Sequence, residues 1–173
     1  NNVVDFTQLD GIVGMFAPNA SGKSALLDAL SFCLFDTSSR AYKAANILNN
    51  KKGSFRCKVN FEIDSLDYYI ERVAKKNFRS GHVKVDVEFW MIDESGDKIS
   101  LNGDQRRTTN SNIRRVVGTY EDFVLTSLSP QTNNTVFIDK TQKERKELLA
   151  QFMGIGIFDQ LYMLAHEDIS EVS

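Results

Sequence analysis

The segment that most constrains the fold of this chain is Ala17–Ser24 (APNASGKS), which fits the A/G-x-x-x-x-G-K-S/T pattern of a phosphate-binding loop. Ahead of it, Gly11–Phe16 (GIVGMF) is a short apolar run typical of a buried parallel strand. After it, leucines recur at helical spacing at positions 26, 27, 30 and 34. Strand, loop and helix therefore follow one another in the order that such a loop requires.

The residue types in this segment suit the chemistry of a triphosphate. Phosphate oxygens need several backbone N–H groups turned inward beside a helix N-terminus, and only small residues allow that close approach. Gly22 supplies the backbone freedom, Lys23 would reach the β and γ phosphates, and the Ser24 hydroxyl would complete the shell of a magnesium ion. Nucleotide binding is therefore the leading hypothesis. The alternative is a surface turn whose lysine is merely solvated.

Composition and charge narrow the class of protein. The 173 residues are 42% hydrophobic, which suits one domain, or part of one, with a sizeable core. The 21 Lys and Arg against 23 Asp and Glu give a formal charge of −2, so no overall positive charge points to nucleic acid or membrane as a partner.

The only cysteines, Cys33 and Cys57, indicate reduced, buried thiols; a disulfide between them is the alternative. No apolar run approaches the roughly 18 residues of a membrane span, and no secretory signal opens the chain, so we expect a cytoplasmic protein without a membrane partner.

Three regions differ in their pattern. Residues 1–50 hold the predicted strand, loop and first, amphipathic helix. From Asp36 to Asn50 the sequence lacks clear periodicity, which predicts a loop with room for one short turn of helix. Residues 51–104 alternate apolar and polar side chains, which predicts an antiparallel meander with strands at 55–63, 66–73 and from 83 to a turn at 93, then a short edge strand around 99–101. Residues 105–173 become helical in pattern from Asn110, and Thr141 with Glu144 forms a capping box for a helix that Gly154 ends.

The segment Phe89–Glu94 (FWMIDE) allows two interpretations. It resembles the apolar strand ending in Asp-Glu that holds magnesium and polarises the attacking water in phosphate-loop ATPases. However, charged residues alternate with the apolar ones that lead into it, whereas that strand is normally covered on both faces. We therefore favour a solvent-facing hairpin that turns at Asp93-Glu94.

With these elements in order, the chain resembles the N-terminal half of an ABC-type ATPase head of the SMC and SbcC group of DNA-repair and chromosome-organising ATPases. Four segments carry the resemblance: APNASGKS with the following ALLDALSFCLF, SSRAYKAANIL, LSPQTNNTVFID, and KERKELLAQFMGIGIFDQLYMLAHE. The fold it implies is α/β, a P-loop NTPase whose head lobe has a mixed or parallel core sheet plus the antiparallel meander, followed by helices that lead to a coiled coil. Residues 1–173 would form one half-domain. The chain opens without methionine and closes within an apparent helix, so we expect a piece of a longer protein.

The resemblance also assigns site residues. It implies ATP and Mg²⁺ as ligands, with Lys23 and Gln131 as catalytic residues and Ser24 and Gln131 at the metal. The residues implied to contact the nucleotide are Asn19, Ala20, Ser21, Gly22, Lys23, Ser24, Ala25 and Arg40. In the family, glycine usually stands where this chain has Ala17 and Ala20.

The implied partners are those of an ATPase whose head is split into an N-terminal and a C-terminal half. They are the C-terminal half of the same ATPase, a second head in a homodimer, a nuclease partner protein, and double-stranded DNA engaged by the full complex. The implied location is the cytoplasm, near the nucleoid or in a phage-infected cell. Two other functions stay open: a self-contained P-loop kinase or nucleotidase that uses Asp93 and Glu94, and a non-catalytic interaction module with a degenerate loop.

Overall fold

The computed structural model describes residues 3–19, 21–38, 44–49, 51–128, 136–153, 158 and 161–162. Two compact units divide the chain, residues 1–122 and residues 123–173. In chain order the elements are α1 (Lys23–Phe35), α2 (Ala44–Ile47), β1 (Ser54–Ile63), β2 (Leu66–Lys76), β3 (Val83–Ile92), β4 (Lys98–Ser100), α3 (Arg106–Val117), α4 (Tyr120–Thr126), α5 (Val136–Asp139) and α6 (Gln142–Phe152).

The four strands form one antiparallel sheet in the order β1-β2-β3-β4, which confirms the predicted meander. Val59 lies opposite Ile70, and Ile70 lies opposite Phe89, so the apolar positions of three strands share one face. This register follows from the period-two pattern, because a slip of one residue would turn every apolar side chain toward water. β2 runs three residues further than predicted, and β4 is the predicted edge strand shifted by one residue.

The core of the first unit lies where α1 packs on the apolar face of the sheet. Phe32 of α1 is 1% exposed and clusters with Ala74 and Val85. Its ring meets that of Phe55 edge-on, with 5.3 Å between centroids. Burial of an aromatic side chain of this size contributes about 2–3 kcal/mol, so this contact anchors the C-terminal end of α1 to the sheet.

The opposite face of the sheet carries a layer of aromatic and basic side chains. Tyr69 and Trp90 stack with 5.3 Å between ring centroids and an interplanar angle of 4°. The Nζ atom of Lys58 lies 4.9 Å from the Tyr69 ring centroid, and that of Lys98 lies 4.1 Å from the Trp90 centroid. These cation–π contacts cover Trp90, which is why it is only 9% exposed although it lies on the face opposite α1.

The predicted parallel strand Gly11–Phe16 does not form. These residues lie outside regular secondary structure, and the side chains of Ile12 and Phe16 are 105% and 95% exposed. A parallel strand needs hydrogen-bonding neighbours, and every strand in the described part of the chain belongs to the antiparallel sheet. The expectation of a parallel core around the phosphate loop is therefore not met by the residues that the structure describes.

The predicted helix after the loop is present as α1, but its burial differs from a simple amphipathic stripe. Its buried residues are consecutive, from Ser31 to Leu34, while Leu27 in its first half is 42% exposed. This helix is apolar on most sides, so its burial depends on how much structure surrounds each turn. Both cysteines are free thiols, as predicted, and Cys33 is buried, whereas Cys57 is half-buried where the sequence predicted a buried thiol.

The helical predictions for the rest of the chain hold with shifted boundaries. α2 is the short turn of helix that the loop after α1 was expected to allow, and α3 begins at Arg106, four residues before the predicted start at Asn110. In the second unit the capping box is confirmed: the Glu144 carboxylate accepts hydrogen bonds of 2.8 Å from the Thr141 backbone N–H and 2.7 Å from its hydroxyl. Gly154 and the predicted coiled coil lie outside the described residues.

None of the helices in the described residues combines the length and the apolar character that a bilayer span requires.

Candidate nucleotide-binding site

The phosphate loop leads directly into α1. Its described residues 17–19 and 21–22 are exposed, and the backbone N–H of Ser21 donates a 3.3 Å hydrogen bond to the carbonyl oxygen of Pro18, which closes a turn. Gly22 is the residue that precedes the helix, with φ at 95° in the left-handed region. A residue with a Cβ is destabilised in this conformation by about 1–2 kcal/mol. The backbone conformation therefore explains why the motif has glycine immediately before the lysine.

Lys23 folds back over the loop. Its Nζ atom donates hydrogen bonds to the carbonyl oxygens of Ala17, at 2.6 Å, and Pro18, at 2.9 Å. The ammonium group therefore lies against the start of the loop, where it supplies one full positive charge. Because an ammonium group has three donors, it can hold both loop carbonyls and still donate one hydrogen bond to a phosphate oxygen.

The N-terminus of α1 carries no group of its own that would neutralise it. Gly22 offers no side-chain cap, and the first turn contains no acidic residue. The first N–H groups of a helix have no intrahelical acceptor and carry a partial positive charge. This end of α1 is therefore suited to an anion, and the adjacent Lys23 adds to the same charge.

Ser24 is the residue of the first turn suited to a magnesium ion. Its side chain is exposed next to Lys23, and hydroxyl oxygen is a ligand that Mg²⁺ accepts together with phosphate oxygens and water. Among the described residues, no group of three or more His, Cys, Asp or Glu comes together as a metal site. The residues present thus fit a metal that is held chiefly by the nucleotide phosphates and completed by Ser24.

The structure describes six of the predicted contact residues, on the two sides of residue 20: Asn19, Ser21, Gly22, Lys23, Ser24 and Ala25. All are exposed except Lys23, which is half-buried. Ala20, Arg40 and Gln131 lie outside the described residues, so their predicted roles stay predictions.

Asp93 and Glu94 lie in the turn between β3 and β4. The Asp93 carboxylate accepts hydrogen bonds from the backbone N–H groups of Ser95, at 2.9 Å, and Asp97, at 2.8 Å. Gly96 completes the turn with φ at 84°. The predicted hairpin is confirmed, because the carboxylate closes its own turn between two antiparallel strands.

Sequence reasoning missed Arg72, which lies on the apolar face of β2 and is 0% exposed. Burial lowers the pKa of its guanidinium, and the nearby Asp36 carboxylate opposes that change. The readable signal was the alternation of β2, in which Arg72 occupies an inward position between Ile70 and Ala74. A cavity of about 220 Å³ lies beside this residue's partners Asp36 and Asn110, at the end of α1 opposite the phosphate loop.

The basic pairs of the chain are divided between structural and exposed positions. Arg106 pairs with Asp36, and the Nε atom of Arg114 donates to the carbonyl oxygen of Asn110 at 3.3 Å. Lys75 and Lys76 are exposed at the end of β2. Of the adjacent basic residues Lys75-Lys76, Arg106-Arg107 and Arg114-Arg115, the pair that contains Arg106 thus contributes to packing within the unit.

Comparison with known proteins gives one family and several relatives. A family described as the AAA domain matches residues 1–168. The chain is 38% identical, over its whole length, to an uncharacterized protein of Acanthamoeba polyphaga mimivirus. It is 25% identical to the SbcC component of the nuclease SbcCD of Clostridium acetobutylicum over 84% of the chain, and 26% identical to the DNA double-strand break repair Rad50 ATPase of Methanocaldococcus jannaschii over 93% of it. The chain spans only 13%, 13% and 15% of the lengths of these three relatives.

Proposed function

Because the chain belongs to the AAA domain family, we propose that it is the ATP-binding N-terminal half of an SMC- and SbcC-like DNA-repair ATPase head. One observation carries this proposal: the Lys23 ammonium group contacts the exposed loop at the point where the loop enters α1, and the start of α1 has no capping side chain. The relatives named as the SbcC component of SbcCD and as Rad50 support the choice of group, since the match covers most of the chain.

In this proposal the loop binds the phosphates of ATP. The backbone N–H groups from Asn19 to Ala25, including Ala20 and Ser21, surround the phosphate oxygens, and Lys23 donates to them directly. Ser24 and Gln131 would hold a magnesium ion, which would neutralise charge on the phosphates. Gln131 also orients the attacking water, and Arg40 approaches the nucleotide.

Exposed apolar residues precede the loop, and they support the proposal that the other half of the ATPase head binds to this unit. In the described residues 3–16, eight large apolar side chains are more than two-fifths exposed: Val3, Val4, Phe6, Leu9, Ile12, Val13, Met15 and Phe16. Folded proteins rarely expose so many large apolar side chains within one short segment, and such a segment is typical of an interaction site. We assign it to the C-terminal half of the same ATPase, whose strands would pair with Gly11–Phe16.

The proposed cycle joins two heads through two bound ATP molecules. Each site would combine the phosphate loop of one head with residues of the other, so binding closes the pair and hydrolysis reopens it. Closure would be coupled to double-stranded DNA and to a nuclease partner protein, in the cytoplasm.

The test is ATP hydrolysis and ATP-dependent dimerisation of the complete protein, compared with residues 1–173 alone. We expect the fragment to bind nucleotide weakly and to hydrolyse it negligibly, because its catalytic partner residues are elsewhere. Brisk turnover by the pure fragment would contradict the proposal. Glu94→Gln separates it from a self-contained kinase or nucleotidase: the substitution leaves turnover of the complete protein unchanged here and abolishes it in the rival.

A non-catalytic module with a degenerate loop predicts a third outcome. In that case neither the fragment nor the complete protein would bind Mg-ATP at all. Ala17 and Ala20, which replace the glycines usual in the family, are the residues that this alternative rests on.

A further inference from the structure

The end of α1 opposite the phosphate loop is held by a buried guanidinium. The Nε atom of Arg72, on β2, donates a 2.8 Å hydrogen bond to the carbonyl oxygen of Cys33, and Nη2 donates one of 3.4 Å to that of Leu34. Carbonyl groups in the last turn of a helix lack intrahelical donors and carry partial negative charge. A cation at this position satisfies them, so Arg72 fixes where α1 ends on the sheet.

A ring of polar contacts extends from Arg72 to α3. Asp36 follows α1 with φ at 63°, and its carboxylate lies 3.7 Å from Nη1 of Arg72. The same carboxylate accepts a 2.6 Å hydrogen bond from Nη2 of Arg106 and a 2.9 Å hydrogen bond from Nδ2 of Asn110. Asn110 in turn accepts from Nη1 of Arg72 at 2.9 Å. We refer to Arg72, Asp36, Arg106 and Asn110 as the Arg72 cluster.

Stability alone does not account for this cluster. Desolvation of a buried ion pair consumes most of its Coulombic gain, and an apolar residue of similar volume often serves stability as well. What a planar guanidinium adds is direction, because its N–H groups point along fixed lines in one plane. Two helix carbonyls and one amide of α3 occupy those lines, so the cluster defines the orientation of α1 as well as its position.

The contacts of α1 are unevenly distributed along its length. Ser31 to Leu34 are buried, whereas the residues from Ser21 to Leu30 are exposed or half-buried in the described unit. Lys23 precedes Cys33 by ten residues, about 15 Å along a helix axis. A tilt of about 10° at the held end would therefore move the phosphate loop by about 2.5 Å, a large error for a site whose donors must meet phosphate oxygens.

We propose that Arg72 is a positioning residue for the phosphate loop: with Asp36, Arg106 and Asn110 it holds the C-terminal end of α1 and thereby sets the location of Lys23 and Ser24. This inference rests on the proposed function for its effect on nucleotide binding, but its effect on the orientation of α1 does not. Arg72 contacts α1 at Cys33 and Leu34, at the opposite end of the helix from Lys23, so substitution there would act on the phosphate loop through α1.

The test uses the complete protein with four substitutions. Arg72→Lys keeps the positive charge but removes the planar guanidinium group. Asp36→Asn keeps the side-chain shape but removes the negative charge. Arg106→Gln removes the guanidinium group of the most exposed residue of the cluster. Arg107→Gln is the matched control on α3, next to Arg106 but outside the cluster. Arg106 is 40% exposed in its side chain, so its variant keeps the inference testable if substitution of Arg72 unfolds the protein.

Two readouts are measured on variants whose thermal unfolding shows that they are folded. The first is the distance between spin labels carried by ketone-bearing amino acids at positions 27, on α1, and 95, in the β3–β4 turn. Position 27 precedes Cys33 by six residues, about 9 Å along the helix axis, so a tilt of about 10° moves this label by about 1.5 Å. We expect a narrow distribution in the parent protein and in Arg107→Gln, and a broadened one shifted by about 1.5 Å in the cluster variants. The second is Mg-ATP affinity, with an expected loss of about tenfold for Arg72→Lys and less than about twofold for Arg107→Gln.

The outcomes separate this inference from the proposed function. A parent protein that binds no Mg-ATP would sink the proposed function, while the label distances would still decide whether the cluster orients α1. Folded cluster variants with unchanged label distances, or with the affinity of the parent protein when the parent binds, would overturn the positioning role of Arg72.

Discussion

The Nζ atom of Lys23 lies 2.6 Å from the carbonyl oxygen of Ala17, so the lysine of the phosphate loop is held by the backbone at the start of that same loop. This contact places the positive charge inside the turn before any phosphate arrives. Because the Lys23 side chain is already ordered, it would lose less conformational entropy when a phosphate binds. It also makes the loop geometry, and hence the backbone at Gly22, part of the proposed binding site.

Substitution of Gly22 tests that geometry. Gly22 has φ at 95°, and a Cβ there would meet only the Ala25 side chain, at 3.9 Å, so Gly22→Ala introduces backbone strain without a steric clash. We expect a cost of about 1–2 kcal/mol in the loop conformation, seen as roughly tenfold weaker Mg-ATP binding by calorimetry.

Gly96→Ala is the matched control for this change. Gly96 has φ at 84° with nothing within 4 Å of an added Cβ, but it lies in the β3–β4 turn. It should show the same kind of backbone strain in urea unfolding and leave nucleotide affinity alone. Equal affinities for the two variants would count against a role of the Gly22 backbone in phosphate binding.

The packing of α1 on the sheet gives a prediction about stability. Phe32 is 1% exposed, whereas Phe78 is 81% exposed. Phe32→Ala should lower the free energy of unfolding by about 3–5 kcal/mol, through lost burial and a cavity. Phe78→Ala should change it by no more than about 0.5 kcal/mol. Similar shifts of the urea midpoint for both variants would disprove the core assigned to α1.

The capping box of α6 gives a pH-dependent prediction. The hydrogen bonds that Thr141 donates, first from its side chain and then from its backbone, lower the pKa of Glu144 below its ordinary value of 4.5. A lowered carboxyl pKa means that the cap stabilises the helix above pH 4.5 and loses that effect as the pH falls through the lower folded-state pKa. Thr141→Ala removes the hydroxyl, so the pKa of the Glu144 carboxyl, followed by NMR titration, should shift toward 4.5.

Thr119→Ala serves as the control for that titration. The Thr119 hydroxyl donates to Asp122 at 2.7 Å and not to Glu144. This variant should leave the Glu144 titration where it is in the parent protein. A Glu144 pKa that does not move in Thr141→Ala would show that the cap is not formed in solution.

Local sequence patterns predicted the elements whose partners are close in the chain. The alternation in residues 55–92 predicted the meander, because each of those strands pairs with its neighbour through a short turn. The Thr141–Glu144 spacing predicted a cap for the same reason. Gly11–Phe16 has the composition of a parallel strand, yet such a strand forms only when other segments flank it. The composition of a segment indicates which secondary structure it favours. It does not show whether neighbouring strands are present to pair with that segment.

The candidate site divides in a similar way. The motif located Gly22, Lys23 and Ser24, because their function depends on their spacing along the chain. Arg72 was not predicted, since its role depends on Cys33, Asp36 and Asn110, which lie far from it in the chain. A charged residue at an inward position of an alternating strand is the pattern that would have indicated it.

The most direct test of nucleotide binding is a calorimetric titration of the complete protein with Mg-ATP, comparing the parent with Lys23→Ala and the exposed-lysine control Lys52→Ala. A charge-assisted hydrogen bond contributes about 1.5–3 kcal/mol, so Lys23→Ala should bind about 10- to 100-fold more weakly while Lys52→Ala matches the parent. A parent protein that binds no Mg-ATP, or a Lys23→Ala variant that binds it equally well, would contradict the assignment of residues 17–24 as the phosphate-binding loop.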